Sequence, residues 1–231
     1  DNPEGPYAVQ ETVLAGRGGD HWIHECCHNP CIVRAGDPYV LYFQTKGREH
    51  NDRYIGYATA RHIVGPWTPA GAPLRLGHNV TNPAAWVEPD GRIRLAFRTP
   101  GMKVAIAEAA AFDAPYTIVN PDILPGVALE DPFLFKMGGR YHLLAEDNEG
   151  QVTGGLRHGA HLVSDDGRHF EPFAPEIKAY THTVPWVGGG VTTFDRRERP
   201  WLVLQEGHPT HLVTGVLKDG EAWSMVQPLA R

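Results

Sequence analysis

Length, composition and charge already exclude several classes of protein. The chain has 231 residues, 42% of them hydrophobic, which is enough for a buried core and too many for a disordered protein. Acidic residues outnumber basic ones by 27 to 21, and the net charge of −6, without a Lys/Arg cluster, argues against nucleic acid and membranes as partners. No stretch approaches the roughly 20 apolar residues of a membrane span, and one domain is expected at this length.

Turn-forming and aromatic residues indicate strands. The chain contains 26 Gly and 20 Pro spread along its length, and 10% of its residues carry the aromatic side chains that pleated sheets favour. The only segment with helical character, Val104 to Phe112, is rich in alanine but short, and it ends at the turn signal Asp113-Ala114-Pro115. We therefore predict an all-β protein.

One pattern recurs along the chain: a polar residue, then Asn, Asp or Arg, then Pro, followed by an apolar strand. In chain order the copies are His28-Asn29-Pro30, Thr81-Asn82-Pro83, Glu130-Asp131-Pro132 and Glu198-Arg199-Pro200. They begin at residues 28, 81, 130 and 198. A repeat of about 50 residues that holds three or four short strands predicts the blades of a β-propeller, whereas the alternative, a solenoid, usually has a shorter repeat.

The N-terminal segment matches only the late part of a blade. Gly5-Pro6-Tyr7 is similar to Gly65-Pro66-Trp67, and no copy of the earlier part precedes it. We expect a single five-bladed propeller over residues 1–231, in which residues 1–16 are the remnant of the first blade. Either that blade is truncated, or the N-terminal segment supplies an outer strand that closes the last blade. Truncation would leave apolar faces uncovered and would favour a homo-oligomer.

The repeats predict where a site would lie. The first strand of each propeller blade lines a central channel, and the residue before each Pro is expected to be extended. Equivalent positions should then face one cavity, in a ring of Asn29, Asn82, Asp131 and Arg199 with one member missing. For the two asparagines, capping of local backbone N–H groups is an equal alternative. Charged side chains directed at an interior need partners, which favours a functional role for Asp131 and Arg199.

Several motifs of the chain are similar to those of a known enzyme family. Leu129-Glu130-Asp131-Pro132-Phe133, with the Asn-Pro and Gly-Pro-Trp repeats, resembles the five-bladed propeller glycoside hydrolases of family 43 and their invertase-like relatives. Bacterial members with His-Asn-Pro, Glu-Asp-Pro-Phe, Gly-Ala-His and Arg-Arg-Glu-Arg-Pro motifs are the most similar, and these motifs are residues 28–30, 130–133, 159–161 and 196–200 here. The resemblance covers nearly the whole chain. It implies cleavage of a glycosidic bond in an oligo- or polysaccharide at the channel mouth.

Glycosidic hydrolysis normally uses two carboxyl groups, one as acid and one as base or nucleophile. The resemblance implies that Asp131 is one of them. Glu130 should turn to the other side of the strand, where it could pair with an arginine. Glu206 could supply the acid if its loop bends over the channel, although a solvated turn before Gly207 explains it more simply. Asn29 cannot act as a base because its amide does not ionise, so the second carboxylate would come from a missing N-terminal segment, or no carboxylate pair is used.

Histidines and arginines leave two other functions open. The chain has 13 His, and His161 and His211 with Arg98 and Arg199 would suit a polysaccharide lyase, in which a base removes the proton beside a uronic carboxylate that Arg neutralises. Histidines satisfied locally in the core or at the rim are the plainer explanation. A non-catalytic carbohydrate-binding propeller is the third possibility.

The remaining predictions concern substrate contacts and metals. Trp186 lies beside a run of three glycines and is a candidate for stacking on a sugar. The predicted substrate contacts are His28, Asn29, Asn82, Arg98, His161, Trp186, Arg199 and His211. Three cysteines argue against a disulfide framework and lack the paired Cys-x2-Cys spacing of a zinc site. The resemblance allows one cofactor, a structural calcium ion in the central channel, which a channel histidine such as His211 would help to hold.

Overall fold

A computed structural model describes residues 2–9, 11–48 and 52–229, and every regular element within these ranges is a β-strand. The all-β fold class is therefore confirmed. In the part of the chain so described, no helix is long and apolar enough to cross a membrane. The strands form two compact units, Val9–Ile123 and Leu124–Arg231, the latter including Asp1–Ala8.

The unit Val9–Ile123 contains two four-stranded antiparallel sheets in which neighbouring strands follow each other in sequence. The first is formed by β1 (Cys27–Arg34), β2 (Tyr39–Lys46), β3 (Arg53–Ala60) and β4 (Thr68–Pro69). The second is formed by β5 (Thr81–Val87), β6 (Ile93–Thr99), β7 (Lys103–Ala109) and β8 (Thr117–Asn120). The alanine-rich segment with helical character is strand β7, whose small side chains are nearly all buried. A four-stranded meander of this kind is the blade of a β-propeller.

The core of this unit lies between its two sheets. Tyr42 and Ile55 from the first sheet pack with Leu95 and Phe97 from the second, and all four side chains are fully buried. The hydroxyl groups of Tyr42 and Tyr116 are 2.7 Å apart and form a hydrogen bond. Aromatic and branched side chains alternate along β2 and β6, so each strand places one row of large apolar groups in this core.

The unit Leu124–Arg231 contains a larger sheet, a hairpin and a three-stranded sheet. The larger sheet comprises β9 (Leu129–Met137), β10 (Arg140–Asp147), β11 (His158–Ser164), β12 (Glu171–Pro172) and β13 (Lys178–Tyr180), the last of which pairs with β11. The hairpin is β14 (Thr183–Pro185) and β15 (Val191–Thr193). The three-stranded sheet is β16 (Arg196–Gln205), β17 (His208–Lys218) and β18 (Glu221–Pro228).

Each of the four Pro motifs forms the same β-bulge in the first strand of a sheet. In each copy the Pro and the residue before it lie together opposite a single residue of the next strand. The ladder is interrupted there because Pro cannot donate a hydrogen bond to it. The expectation of an extended residue before Pro is wrong, because fitting two residues opposite one turns the backbone to a positive φ. The φ angles are 48° at Asn29, 53° at Asn82, 50° at Asp131 and 58° at Arg199.

Four sheets of this repeating type are present, and the fifth blade expected from the sequence is not among the described residues. Residues 2–9 and 11–26, which include most of the predicted first-blade remnant, contain no strand. The alternative in which this segment adds an outer strand to the last sheet is therefore wrong for the described residues, because that sheet consists of β16, β17 and β18 alone.

Candidate active site

Three carboxyl groups lie together in the unit Leu124–Arg231. Asp131 stands on the bulge of β9, Glu146 lies near the end of β10, and Glu198 immediately precedes the bulge of β16. The side chain of Glu146 is 2% exposed, that of Asp131 is 9% and that of Glu198 is 20%. Buried carboxyl groups need nearby cations or hydrogen-bond donors, so their partners define the site.

Arg199 connects two of these carboxylates. Its Nε atom is 3.7 Å from Oδ2 of Asp131 and 3.4 Å from Oε1 of Glu198. Since both oxygens lie within ion-pair range of one nitrogen, they are at most about 7 Å apart, an upper limit that admits the separation of about 5–5.5 Å found in retaining glycosidases. The other oxygen of Glu198 forms an ion pair with Arg196. Each oxygen of Glu198 therefore has its own arginine partner.

Glu146 is the carboxyl group with the most perturbed ionisation. Burial and the negative charge of Asp131 raise its pKa from 4.5 to about 7, and the charges of Glu198 and Glu130 act in the same direction. Arg157 opposes them, with its Nη1 atom 3.4 Å from Oε1 of Glu146. Near neutral pH this group is therefore close to half protonated.

An aromatic residue packs on Gly159, the residue that pairs with Glu146 across the β10–β11 ladder. The ring of Tyr180 packs on Gly159, where an added Cβ would lie 2.2 Å from a ring carbon. The hydroxyl group of Tyr180 is buried and has no hydrogen-bond partner among the described residues. Burial and the charge of Glu146 raise the pKa of Tyr180 well above its usual value, so the phenol stays neutral beside the carboxylates.

Arg197 covers the other side of the Tyr180 ring. Its guanidinium carbon lies 5.1 Å from the ring centroid, and it donates hydrogen bonds to Oγ1 of Thr214, the carbonyl of Thr181 and Oε1 of Gln227. Burial lowers the pKa of Arg197 to about 10. The hydrogen bonds fix this buried cation behind the aromatic ring.

A cavity of about 560 Å³ opens beside Glu198. One side is formed by Arg196, Glu198 and Arg199, and the other by segments 213–217 and 222–224 of β17 and β18. Its volume is in the range of small-molecule sites. Glu198 is therefore the carboxylate of the cluster that borders open space.

The structure brings together some of the residues predicted from the sequence. Asp131 and Arg199 meet as an ion pair. Glu130 lies opposite Glu146 across the β9–β10 ladder, close enough for its charge to raise the pKa of Glu146.

Glu206 does not join the cluster. It lies with Gly207 in the exposed turn between β16 and β17, with φ 51°. This turn follows Arg199 by seven residues, a distance of roughly 23 Å along an extended strand. Glu206 is therefore a solvent-exposed turn residue, which was the simpler of the two interpretations of the sequence.

The predicted histidines also lie apart from the carboxylates. His161 stacks on Phe173, and its Nε2 atom is 2.9 Å from Nδ1 of His142. His211 bonds Oγ1 of Thr210 and lies on β17 four residues before Gly215, which pairs with Glu198. Both histidines are therefore separated from the bulge positions along their sheets.

Trp186 lies at the tip of the β14–β15 hairpin. Its side chain is 47% exposed, and its Nε1 atom donates a hydrogen bond to Oγ1 of Thr192 at 2.8 Å. This bond fixes the indole while leaving it accessible.

In the unit Val9–Ile123 the two asparagine bulges meet at one glutamine. Oε1 of Gln44 accepts hydrogen bonds from Nδ2 of Asn29 at 3.4 Å and from the backbone N–H of Asn82 at 3.1 Å. Arg98 donates to Oγ1 of Thr81 at 3.4 Å. Exposed His28 precedes the first bulge.

Sequence reasoning missed two of the three clustered carboxyl groups. Glu198 occupies the same motif position as Glu130 and His28, which were assigned to the site, but it was itself left out. Glu146 follows the apolar run of β10, and a charged residue inside a buried strand is a signal that it needs a specific environment. The Gly138-Gly139 turn is a two-residue hairpin signal between β9 and β10, and counting back from it places Glu146 within one residue of the β9 bulge.

A metal centre finds no support in the described ranges. No group of three or more His, Cys, Asp or Glu side chains there could hold a metal ion.

Comparisons with known proteins identify the fold. Neither a protein-family model nor a curated protein sequence matches the chain. Among solved structures, an endo-arabinase from Bacteroides thetaiotaomicron matches with a TM-score of 0.65 and 13% identity over 93% of this chain and 79% of its own. A thermostable family-43 glycoside hydrolase matches with a TM-score of 0.62 and 13% identity, over 91% of this chain and 73% of its own.

A third structure extends the comparison to a sugar complex. A family-43 β-xylosidase/α-arabinofuranosidase from a compost microbial metagenome, in a calcium-free form with xylotriose, matches with a TM-score of 0.59 and 16% identity over 91% of this chain and 72% of its own. Identities this low show a shared fold and leave the chemistry to be argued from the site. The chain is an all-β protein with the β-propeller fold of these family-43 glycoside hydrolases.

Proposed function

We propose that the protein is a glycoside hydrolase that cleaves a glycosidic bond at Asp131, Glu146 and Glu198. The observation that carries this proposal is the pairing of Asp131 and Glu198 on one arginine, beside a buried carboxyl group with a pKa of about 7. Such an arrangement supplies both a proton and an ionised carboxylate near neutral pH, as glycosidic cleavage requires.

The proton is held by the Asp131–Glu146 pair. Two carboxyl groups this close cannot both ionise easily, so the pair retains one proton at a pH where a solvated carboxyl group has lost it. Asp131 is the more exposed of the two. In the proposed reaction it delivers the proton to the leaving oxygen, and Glu146 shares the charge that remains.

Glu198 acts as the ionised partner. Arg196 and Arg199 each bind one of its oxygens, and the cavity beside it gives access to a sugar or to a water molecule. Glu198 then serves as base or nucleophile on the face opposite the leaving group.

The proposed substrate is an oligo- or polysaccharide containing pentose units. This choice follows the arabinase and xylosidase neighbours and the xylotriose complex of one of them. Trp186 is proposed to stack on a sugar ring, because its indole is accessible and fixed by a hydrogen bond. Arg199 also borders the cavity and is proposed to contact substrate.

The test is an assay on aryl xylosides and arabinofuranosides and on xylo- and arabino-oligosaccharides. Asp131→Asn and Glu198→Gln should each lower kcat/KM by about 100-fold or more, the usual contribution of a positioned acid or base. Glu221→Gln, at the exposed start of β18, is the matched control and should keep full activity.

Each alternative function gives a distinct result. An unsaturated uronide product would identify a lyase, and saturable binding without product would identify a carbohydrate-binding propeller. Wild-type turnover in both Asp131→Asn and Glu198→Gln would exclude the proposed mechanism.

A further inference from the structure

We propose that Asp147 is a positioning residue: its buried carboxylate holds the loop 148–157 in the form that places the Arg157 guanidinium beside Glu146. This inference rests on the proposed function of the carboxylate cluster. Asp147 ends strand β10, next to Glu146, and it is completely buried. Successive residues of a strand point to opposite faces, so Glu146 enters the cluster while Asp147 faces the loop.

The carboxylate of Asp147 organises the middle of the loop. Its Oδ1 atom accepts a hydrogen bond from the backbone N–H of Gln151 at 3.1 Å. Its Oδ2 atom accepts bonds from the N–H of Val152 at 2.8 Å, the N–H of Thr153 at 2.8 Å and the hydroxyl of Thr153 at 3.0 Å. One side chain thus satisfies three consecutive backbone donors that would otherwise be left without partners.

The backbone of Asp147 fixes the end of the same loop. Its carbonyl oxygen accepts a hydrogen bond from the N–H of Arg157 at 2.8 Å. The carbonyl of Arg157 faces Nε2 of His182 at 3.1 Å, and its φ of 57° is a conformation that a non-glycine residue adopts only when its surroundings enforce it. The position of Arg157 therefore depends on the loop that Asp147 holds.

Arg157 is the cation that opposes the acidic groups around Glu146. The groups that face Glu146 are Asp131 and Glu130 on β9, Glu198 on β16, the neutral phenol of Tyr180 on β13, and Arg157. The three carboxylates raise the pKa of Glu146, and Arg157 lowers it. A looser loop would weaken this opposing charge, and the pKa of Glu146 would rise further above its usual value. In the proposed reaction, the alkaline limb of the pH–rate profile would then move to higher pH.

The experiment compares Asp147→Asn with Asp166→Asn. Asp166 accepts bonds from the hydroxyl of Ser164 and from the N–H groups of Arg168 and His169, so it organises the neighbouring turn in the same way but lies away from the cluster. We expect Asp147→Asn to raise the pKa of Glu146, measured by carbon NMR titration of its carboxyl group, and to shift the alkaline limb upward. Asp166→Asn should change neither.

Arg157→Gln tests the route of the effect. It should shift the Glu146 titration in the same direction, and the double variant Asp147→Asn/Arg157→Gln should shift it no further than Arg157→Gln alone. Additive shifts would show that Asp147 does not act through Arg157. If Asp147→Asn does not fold, Thr153→Val removes the hydroxyl that bonds Asp147 and the backbone of Gly155, and it should give a smaller shift in the same direction because the backbone N–H groups remain bound to Asp147.

The NMR titration separates this inference from the proposed function. A lower melting temperature for Asp147→Asn with an unchanged Glu146 titration would overturn the positioning role. A shifted titration in a protein that hydrolyses no substrate would support the positioning role and count against the glycosidase.

Discussion

At Glu146 two effects of opposite sign meet in one side chain. Burial and neighbouring carboxylates favour the protonated form, and Arg157 favours the ionised form. Burial is the largest contribution, and the pKa settles at about 7. The same residue that would serve a proton-transfer reaction is therefore a source of instability when it is forced to ionise.

Replacing Glu146 with a residue that cannot ionise should change how the free energy of unfolding depends on pH. A carboxyl group whose pKa is raised by folding contributes its full stability below about 4.5 and loses it as the pH rises toward about 7. We expect the free energy of unfolding of Glu146→Gln, relative to wild type, to increase by up to about 3 kcal/mol between pH 4 and pH 8. Urea denaturation at several pH values measures it.

Glu149→Gln provides the control for this stability prediction, because Glu149 is an exposed residue of the adjacent loop. Parallel pH curves for wild type and Glu146→Gln would show that the Glu146 carboxyl group is not perturbed by folding.

At the scale of the element, the sheet β9–β13 carries a second titratable pair. Nε2 of His142 is 3.3 Å from the carbonyl of Met137, which can only accept, so His142 carries its proton there. Its Nδ1 atom then accepts the hydrogen bond from Nε2 of His161. Burial lowers the pKa of His161 to about 4 and also lowers that of His142. The arrangement needs both rings neutral.

Lowering the pH should therefore destabilise this sheet already above the pH at which the two histidines become protonated in the folded protein. A histidine whose pKa is lowered by folding contributes its stability above about 6.5 and loses it as the pH falls toward about 4. We expect the wild-type free energy of unfolding to fall over this interval, and His161→Gln to show a shallower fall. Denaturant titrations at pH 7, 5.5 and 4.5 provide the measurement, with exposed His62→Gln as the control.

At the scale of the whole molecule, the sequence predicted the repeat because the Pro motif leaves a local mark in every copy. The first strands begin at Cys27, Thr81, Leu129 and Arg196, close to the starts that the motif indicated. The all-β class followed in the same way, since turn residues act locally. The count of five blades is not confirmed, because it was extrapolated from a fragment match at Gly5-Pro6-Tyr7 and the described residues form four blades.

The site was only half predictable for the same physical reason. Asp131 and Arg199 stand in the motif, and a charged residue at an interior position needs a partner, which each supplies to the other. Glu146 is on the next strand, and the Gly138-Gly139 turn sets its register with β9, but its burial beside Glu198 and Tyr180 depends on strands distant in sequence. Glu206 was a plausible acid only while the direction of its turn was unknown.

At the four bulges the backbone conformation is the same, although the side chains at that position differ. Asn, Asp and Arg all occupy the same left-handed backbone position. Arg199→Asn and Arg199→Val both remove the cation beside Asp131 and Glu198, but Arg199→Val should cost about 1–2 kcal/mol more than Arg199→Asn because a branched side chain is strained there. Thermal denaturation of both variants checks this, and equal melting temperatures would contradict it. The bulge positions would let an engineer exchange these side chains one at a time, and so change the chemistry of the protein without altering its backbone.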